Sequence, residues 1–316
     1  MIIESGQVAV VTGAAQGLGR ALAAGLIDRG VSVVLADIAR ERLQTTAEEF
    51  TARGARVLPV ITDVSDAAAV NTLACRTVEY FGRVDMVVNN AGIGGGGQPL
   101  WQTDLQDWQR VLAVNLLGVV HGIQAFVPHL VTAGAGHVVN IASLAGLTAT
   151  PFGGIYGASK HAVVAISETL RHELEMMVLP IGVTVACPSF VRTPLAEGLV
   201  TLLETDDDAW TEHLPADPSR EQVEQMEQLR AAFKRGVATM MEPEVTAERI
   251  FAAVAADRLY ALTHGDLEDG VRHRVEGILA ALDDRGWSDS HVGTAGVTEL
   301  DPGPRAGVAR PLGLPA

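Results

Sequence analysis

The sequence predicts an α/β fold: a doubly wound parallel sheet of about seven strands flanked on both faces by helices, with a helical lid over one end. Three observations carry this. Short β-rich apolar runs alternate with longer segments of helical period. Several of these runs are apolar throughout, as strands covered on both faces must be. A glycine-rich turn joins the first run to the first helix.

In order, strands are expected at Val8–Thr12, Ser32–Asp37, Val57–Ile61, Met86–Asn89, His137–Ile141 and Gly182–Cys187. Helices are expected between them at Gly17–Arg29, Arg40–Arg53, Asp66–Phe81, Asp104–Ala133 and Tyr156–Met177. Repeated β-α units with right-handed crossovers then wind the sheet from both sides. After Cys187 the pattern changes. Residues 194–241 lack a clear strand and read as an acidic helical lid, broken at Thr205-Asp206-Asp207-Asp208 and at Pro215–Pro218. Thr246–Arg258 reads as a helix, Leu259–Thr263 as a last strand and Asp266–Arg285 as a final helix. One domain is expected over residues 1–286. The Gly/Pro-rich stretch 287–316 is either mobile or an arm that wraps a partner.

Of 316 residues, 48% are hydrophobic, ample for a large core. Lysine and arginine total 23 against 38 acidic residues, a formal charge of −15 that repels phosphate backbones and anionic lipid. Nucleic acid and membrane surfaces are therefore not expected partners. No stretch approaches the roughly 20 uninterrupted apolar residues of a membrane span. Two cysteines, Cys75 and Cys187, offer neither a disulfide scaffold nor metal-ligand spacing. The first residues lack a basic segment followed by an apolar run, and the expected compartment is a reducing cytoplasm.

The first strand runs into Gly13-Ala-Ala-Gln16-Gly17-Leu18-Gly19 and then a helix. Glycines there permit a tight turn and close approach of a pyrophosphate, and the helix N-terminus offers that anion free N–H groups. Asp37 ends the second strand, where a carboxylate can accept both hydroxyls of an adenosine ribose or can simply cap the next helix. It would repel a 2′-phosphate, and Gln16 rather than a base precedes Gly17. NAD is therefore favoured over NADP.

Tyr156-Gly-Ala-Ser-Lys160 puts a phenol and an ammonium on one helical face, about 6 Å apart along the axis. At about 4 Å and an effective dielectric of 20 their attraction is about 4 kcal/mol, enough to bring a phenol from about 10 toward 7. Such a phenol is a general acid for ketone reduction and, ionised, a base for alcohol oxidation. Ser143 follows the fifth strand at the carboxyl edge, where open α/β sheets bind ligands, and can hold the substrate oxygen. Asn115 lies in an apolar helical stretch and needs a partner there, whether structural or functional.

With Asp63-Val64 and Asn89-Asn90-Ala91-Gly92 added, in this order, the chain resembles the short-chain dehydrogenase/reductase family from Gln7 to Thr193, and more loosely beyond. The resemblance implies a Rossmann-type fold and an NAD-dependent alcohol dehydrogenase or ketone reductase. It implies that Tyr156 transfers the proton, Ser143 orients the carbonyl oxygen, and Lys160 binds the nicotinamide ribose and depresses the tyrosine. Asn115 would hold a water joining Lys160 to solvent. Asp63 and Val64 would meet the adenine, Asn90 the adenosine side, and Val191 and Thr193 the nicotinamide amide. The family often has Pro-Gly where this chain has Pro188-Ser189. A homodimer or homotetramer is implied, through the helices 104–133 and 156–177.

Leu195, Leu199, Leu202, Leu203, Met240 and Met241 could line an apolar lid or pack it onto the body. Leu144, Phe152 and Phe190 flank the catalytic residues as pocket walls, with Gly94–Gly97 as an adaptable rim. These point to a bulky apolar or aromatic secondary alcohol or its ketone. A carrier-bound acyl substrate fits poorly with Asp37 and the acidic charge. A non-catalytic NAD-binding sensor fits poorly with the intact Tyr156/Lys160 pair.

Overall fold

The computed structural model describes residues 1–204, 214–215, 217–265 and 268–283. Strands β1 (Val8–Thr12), β2 (Ser32–Asp37), β3 (Val57–Ile61), β4 (Met86–Asn89), β5 (Gly136–Ile141), β6 (Ile181–Cys187) and β7 (Tyr260–Leu262) form one parallel sheet, ordered β3-β2-β1-β4-β5-β6-β7. The chain winds outward from β1 through β2 to β3, then crosses back to β4. This reversal opens a crevice beyond the carboxyl ends of β1 and β4.

The helices are α1 (Gly17–Asp28), α2 (Arg40–Ala52), α3 (Ala67–Phe81), α4 (Leu105–Leu112), α5 (Gly118–Ala133), α6 (Gly154–Met176), α7 (Pro194–Glu204), α8 (Arg220–Ala238), α9 (Pro243–Ala255) and α10 (Glu268–Asp283). Asp66 and Asp104 cap α3 and α4 by accepting the Ala68 and Gln106 N–H groups, so each of those helices begins one residue later than its pattern suggested. The stretch expected as one helix from Asp104 to Ala133 is divided by a π-helical turn at Ala113–Leu117. Residues 105–133 are long and apolar enough to cross a bilayer by length and composition, which simple run-counting missed. In the fold Val111, Phe126 and Leu130 of that stretch are fully buried within the protein.

Although the strands are mostly apolar, their period of two divides the core. Ala9, Val11, Val33 and Leu35 face a cluster with Leu22, Phe50, Ile250 and Phe251. Val10, Val34 and Ala36 face the other, with Leu73, Phe126 and Leu174. Each fully buried Leu or Phe contributes roughly 1.5–3 kcal/mol. Met1–Arg274 forms a compact unit. The described part of a second, 275–283, is helical and exposes Val275, Ile278, Leu279 and Leu282.

Candidate active site

The phosphate-binding turn leaves β1 at Thr12, and Gly13 and Gly17 adopt φ of +64° and +53°. A Cβ on Gly13 would meet Ala91 Cα at 2.9 Å, and one on Gly19 would meet Asn90 Nδ2 at 2.5 Å. Backbone therefore comes as close as it can, and side chains are excluded. No side chain caps α1 and no carboxylate stands in its first turn, leaving its N–H groups for an anion. Leu18 turns partly into the core beneath. Asn90 locks the turn from β4, its Nδ2 donating to Thr12 O at 2.8 Å.

Asp37 binds two turns at once, accepting the Ala15 N–H at 3.0 Å and the Ala39 N–H at 2.9 Å. It is not the N-cap of α2, which is Ala39. No base precedes Gly17 in the sequence, but one reaches Gln16 in the fold. The Arg42 guanidinium donates to Gln16 Oε1 from the first turn of α2, a contact across two elements. Asp63 accepts from the Ser65 backbone at 2.9 Å and hydroxyl at 2.7 Å, which shapes the turn carrying Val64.

Tyr156 and Lys160 stand one turn apart on α6, as the spacing requires. Tyr156 and Ser143 line the same stretch of cavity wall, and Ser143 favours the ionised form of the phenol. Lys160 is buried, its Nζ donating to Ile141 O at 2.8 Å and lying 5.6 Å from the centre of the Tyr156 ring. The charge balance differs from the expected one. Burial raises the Tyr156 phenol, only partly opposed by Ser143, and burial lowers Lys160 to about 8. The expected depression of Tyr156 by Lys160 is absent from the protein alone. The Lys160 ammonium is held by the Ile141 carbonyl, and desolvation of the phenol wins. Beneath them Cys187 is buried, which pushes its thiol up to about 12. It is therefore not a nucleophile at neutral pH.

Asn115 sits in the π turn, fully buried. Its Oδ1 accepts the Ile93 N–H at 2.8 Å, and its Nδ2 donates to Ile93 O at 3.0 Å and Ser159 Oγ at 3.2 Å. Its amide is thus spent on bracing the loop after β4. It stands close behind the lysine: a Cβ on Gly92 would lie 3.3 Å from Asn115 Oδ1 and 3.6 Å from Lys160 Nζ.

Beyond β6, Val191 forms a parallel bridge with Met241, and Thr193 packs over Gly17. The Pro188-Ser189 departure is braced by a residue that sequence reading missed. His264 Nδ1 accepts the Ser189 N–H at 3.2 Å, and its Nε2 faces Phe190 O at 3.1 Å. No local pattern links positions so distant in the chain.

These groups share one cavity of about 1350 Å3, which runs from Asp37, Asp63 and Val64 past Gly13–Gly19, Asn90, Ser143, Tyr156 and Lys160 to Val191 and Thr193. Asn115 stands behind its wall. Leu144, Phe152, Phe190, Leu195 and glycines of the 94–97 rim also line it. Leu203 instead packs inside the lid, Met240 and Met241 do not reach the wall, and the side chains of Leu199 and Leu202 lie outside those described. α8 adds Met226, Leu229, Ala232 and Phe233 to the apolar wall, which were not anticipated. An α8 stripe that packs is indistinguishable in sequence from one that lines a cavity.

Residues 7–202 match the short chain dehydrogenase family model. The CLA biosynthesis dehydrogenase/reductase of Lactiplantibacillus plantarum is 32% identical over 86% of this chain and 93% of its own. The 1-deoxy-11-beta-hydroxypentalenate dehydrogenase of Streptomyces avermitilis is 43% identical over 61% of this chain and 71% of its own. Among solved structures, a short-chain dehydrogenase/reductase of Burkholderia phymatum, in complex with NAD, superposes with a TM-score of 0.76 at 39% identity, covering 89% of this chain and 97% of that one. With the glycine turn, the Ser143–Tyr156–Lys160 cluster and the seven-stranded sheet already assembled, these matches place the chain in the short-chain dehydrogenase/reductase family of oxidoreductases.

Proposed function

We propose that the protein interconverts a secondary alcohol and its ketone with NAD(H), acting on a bulky apolar or aromatic substrate. The observation that carries this is the convergence of Ser143, Tyr156 and Lys160 on the wall of one cavity whose one end presents Asp37 and whose other end is apolar.

The chain's residues fit the dinucleotide. Gly13, Gly17 and Gly19 let the turn pack against Ala91, Asn90 and Thr193 where a Cβ would crowd them, and the uncapped start of α1 would offer its N–H groups to a pyrophosphate. The Asp37 carboxylate, fixed by two backbone N–H groups, stands ready for ribose hydroxyls. Val64 and Asp63 would receive the adenine, Lys160 the nicotinamide ribose, and Val191 and Thr193 the carboxamide. A bound nicotinamide would supply the hydride acceptor or donor. Ser143 holds the substrate oxygen while Tyr156 gives its proton in reduction or takes one in oxidation. Asn115 keeps the Ile93 loop and Lys160 in register. The same reading includes self-association as a homodimer or homotetramer, supported by exposed Leu105 and Leu117 along the 104–133 stretch.

The test is a panel of racemic secondary alcohols, small to polycyclic, assayed for NADH formation and repeated with NADP. Turnover of bulky members with NAD supports the reading. NAD binding without turnover of any alcohol, or of the matching ketones with NADH, overturns it.

A further inference from the structure

We propose that Phe152 is the specificity-determining seat of the lid, a ring that joins the lid's own core to the catalytic helix and sets which substrates the cavity retains. This deepens the reading of the cavity as an alcohol site and rests on it.

Three observations converge on this residue. Its backbone has φ +62°, a conformation that suits glycine and strains a residue with a Cβ. A bulky aromatic at such a position is there for its ring, because the turn alone would be better served without one. The strain is held by the neighbouring loop. Gly97 N–H donates to Phe152 O at 2.8 Å, and Gly96, itself at φ +119°, lies so flush against that carbonyl that a Cβ there would collide with it.

The ring then enters a small apolar cluster built around Leu203 of α7 and Met226 of α8, with Leu229 and Phe233 packed on it. Among the described residues, every other member of that cluster lies between positions 203 and 237, so Phe152 is its one side chain from the sheet-bearing body. Phe152 also lines the cavity and stands in the turn just before α6, four residues ahead of Tyr156. A substrate large enough to reach from Tyr156 to α8 must lie against this ring. A small one bound at Ser143 and Tyr156 need not. Phe190, edge-on to Phe233 at 6.3 Å, supports the same helix from beyond β6 but is not part of the cluster.

The test compares Phe152→Gly, which removes both ring and strain, with Phe152→Leu, which keeps apolar bulk. Each is assayed with a bicyclic aryl alcohol and a short aliphatic one. In Phe152→Gly the ratio of kcat/KM for the bulky over the small alcohol should fall about tenfold or more, with the loss in KM rather than kcat. Phe152→Leu should recover most of it. Equal losses on both alcohols, or a loss confined to kcat, would mean that Phe152 is merely structural. Limited proteolysis of the free protein is read in parallel, because it needs no activity. Faster cleavage within 194–241 in Phe152→Gly supports the seat even if the wild type turns over no alcohol, whereas identical cleavage of wild type and variant overturns it.

Discussion

At the Asp37 end of the cavity the wall is made of backbone, whereas at the Phe233 end it is made of side chains. The first end is Gly13, Gly17, Gly19 and a carboxylate pinned by two N–H groups, and its shape would be lost by adding one methyl group. The second is Met226, Leu229, Ala232 and Phe233, whose positions depend on what packs behind them. Backbone geometry tolerates almost no substitution, while an apolar wall of similar volume can be rebuilt from many sequences. One end suits a ligand that never changes, the other a ligand that differs between relatives. Tyr156 stands where they meet.

The sharpest way to test this division is at that junction. Tyr156→Phe keeps the ring and removes the hydroxyl, so kcat should fall by roughly two to four orders of magnitude while NAD binding survives. Lys160→Ala should instead weaken NAD binding together with turnover. Because burial raises Tyr156, oxidation by the wild type should accelerate as pH rises and the phenol ionises. A tenth or more of the activity left in Tyr156→Phe, measured by steady-state NADH formation, would remove Tyr156 from the chemistry.

The opposite edge of the sheet provides a control in which burial governs the fold and not the reaction. His137 in β5 is fully buried, with Nε2 2.8 Å from Thr184 Oγ1 and Nδ1 without a partner. Thr184 gives its own proton to Arg258 O, so the imidazole is neutral with its hydrogen on Nε2. Burial lowers it from 6.5 to about 3. The unfolded chain therefore takes up a proton below about pH 6.5 that the folded one refuses. Stability is full above that pH and is lost as pH falls toward 3, by about 5 kcal/mol at 1.36 kcal/mol per unit. Urea unfolding at pH 7 and pH 4 should show a smaller difference for His137→Leu than for wild type. Equal differences would exclude the histidine as the cause.

The smallest effect is expected at the cofactor end. Losing one charge-assisted hydrogen bond costs about 1.5–3 kcal/mol, so Asp37→Ser should lower kcat/KM for NAD by about ten- to a hundredfold. Arg42, already on Gln16, should let the same variant gain with NADP, without a second substitution. The ratio of kcat/KM for the two cofactors decides. A wild type indifferent to the 2′-phosphate would reduce Asp37 to a brace between two turns.

What could be read without the structure follows this division. The seven strands, the glycine turn, Asp37 and the Tyr156/Lys160 pair are local or periodic features. A turn needing positive φ writes glycine into the sequence, and a helix writes i and i+4 onto one face. The expected helix from 104 to 133 hid the π turn, because residue type does not distinguish a bulge from regular helix. His264 was missed for another reason, since Ser189 and Phe190 meet it only when β6 and β7 pair.

The sequence by itself determined the sheet, the glycine turn and the pairing of Tyr156 with Lys160 on one helical face, since each is set by short-range sterics or by the period of one element. Tertiary structure alone decided that Tyr156 is raised in the free protein, that Asn115 braces Ile93, that Arg42 reaches Gln16 and that Phe152 enters the lid. Desolvation and cross-element contacts depend on which surfaces the folded chain brings together, and no spacing within one element encodes them.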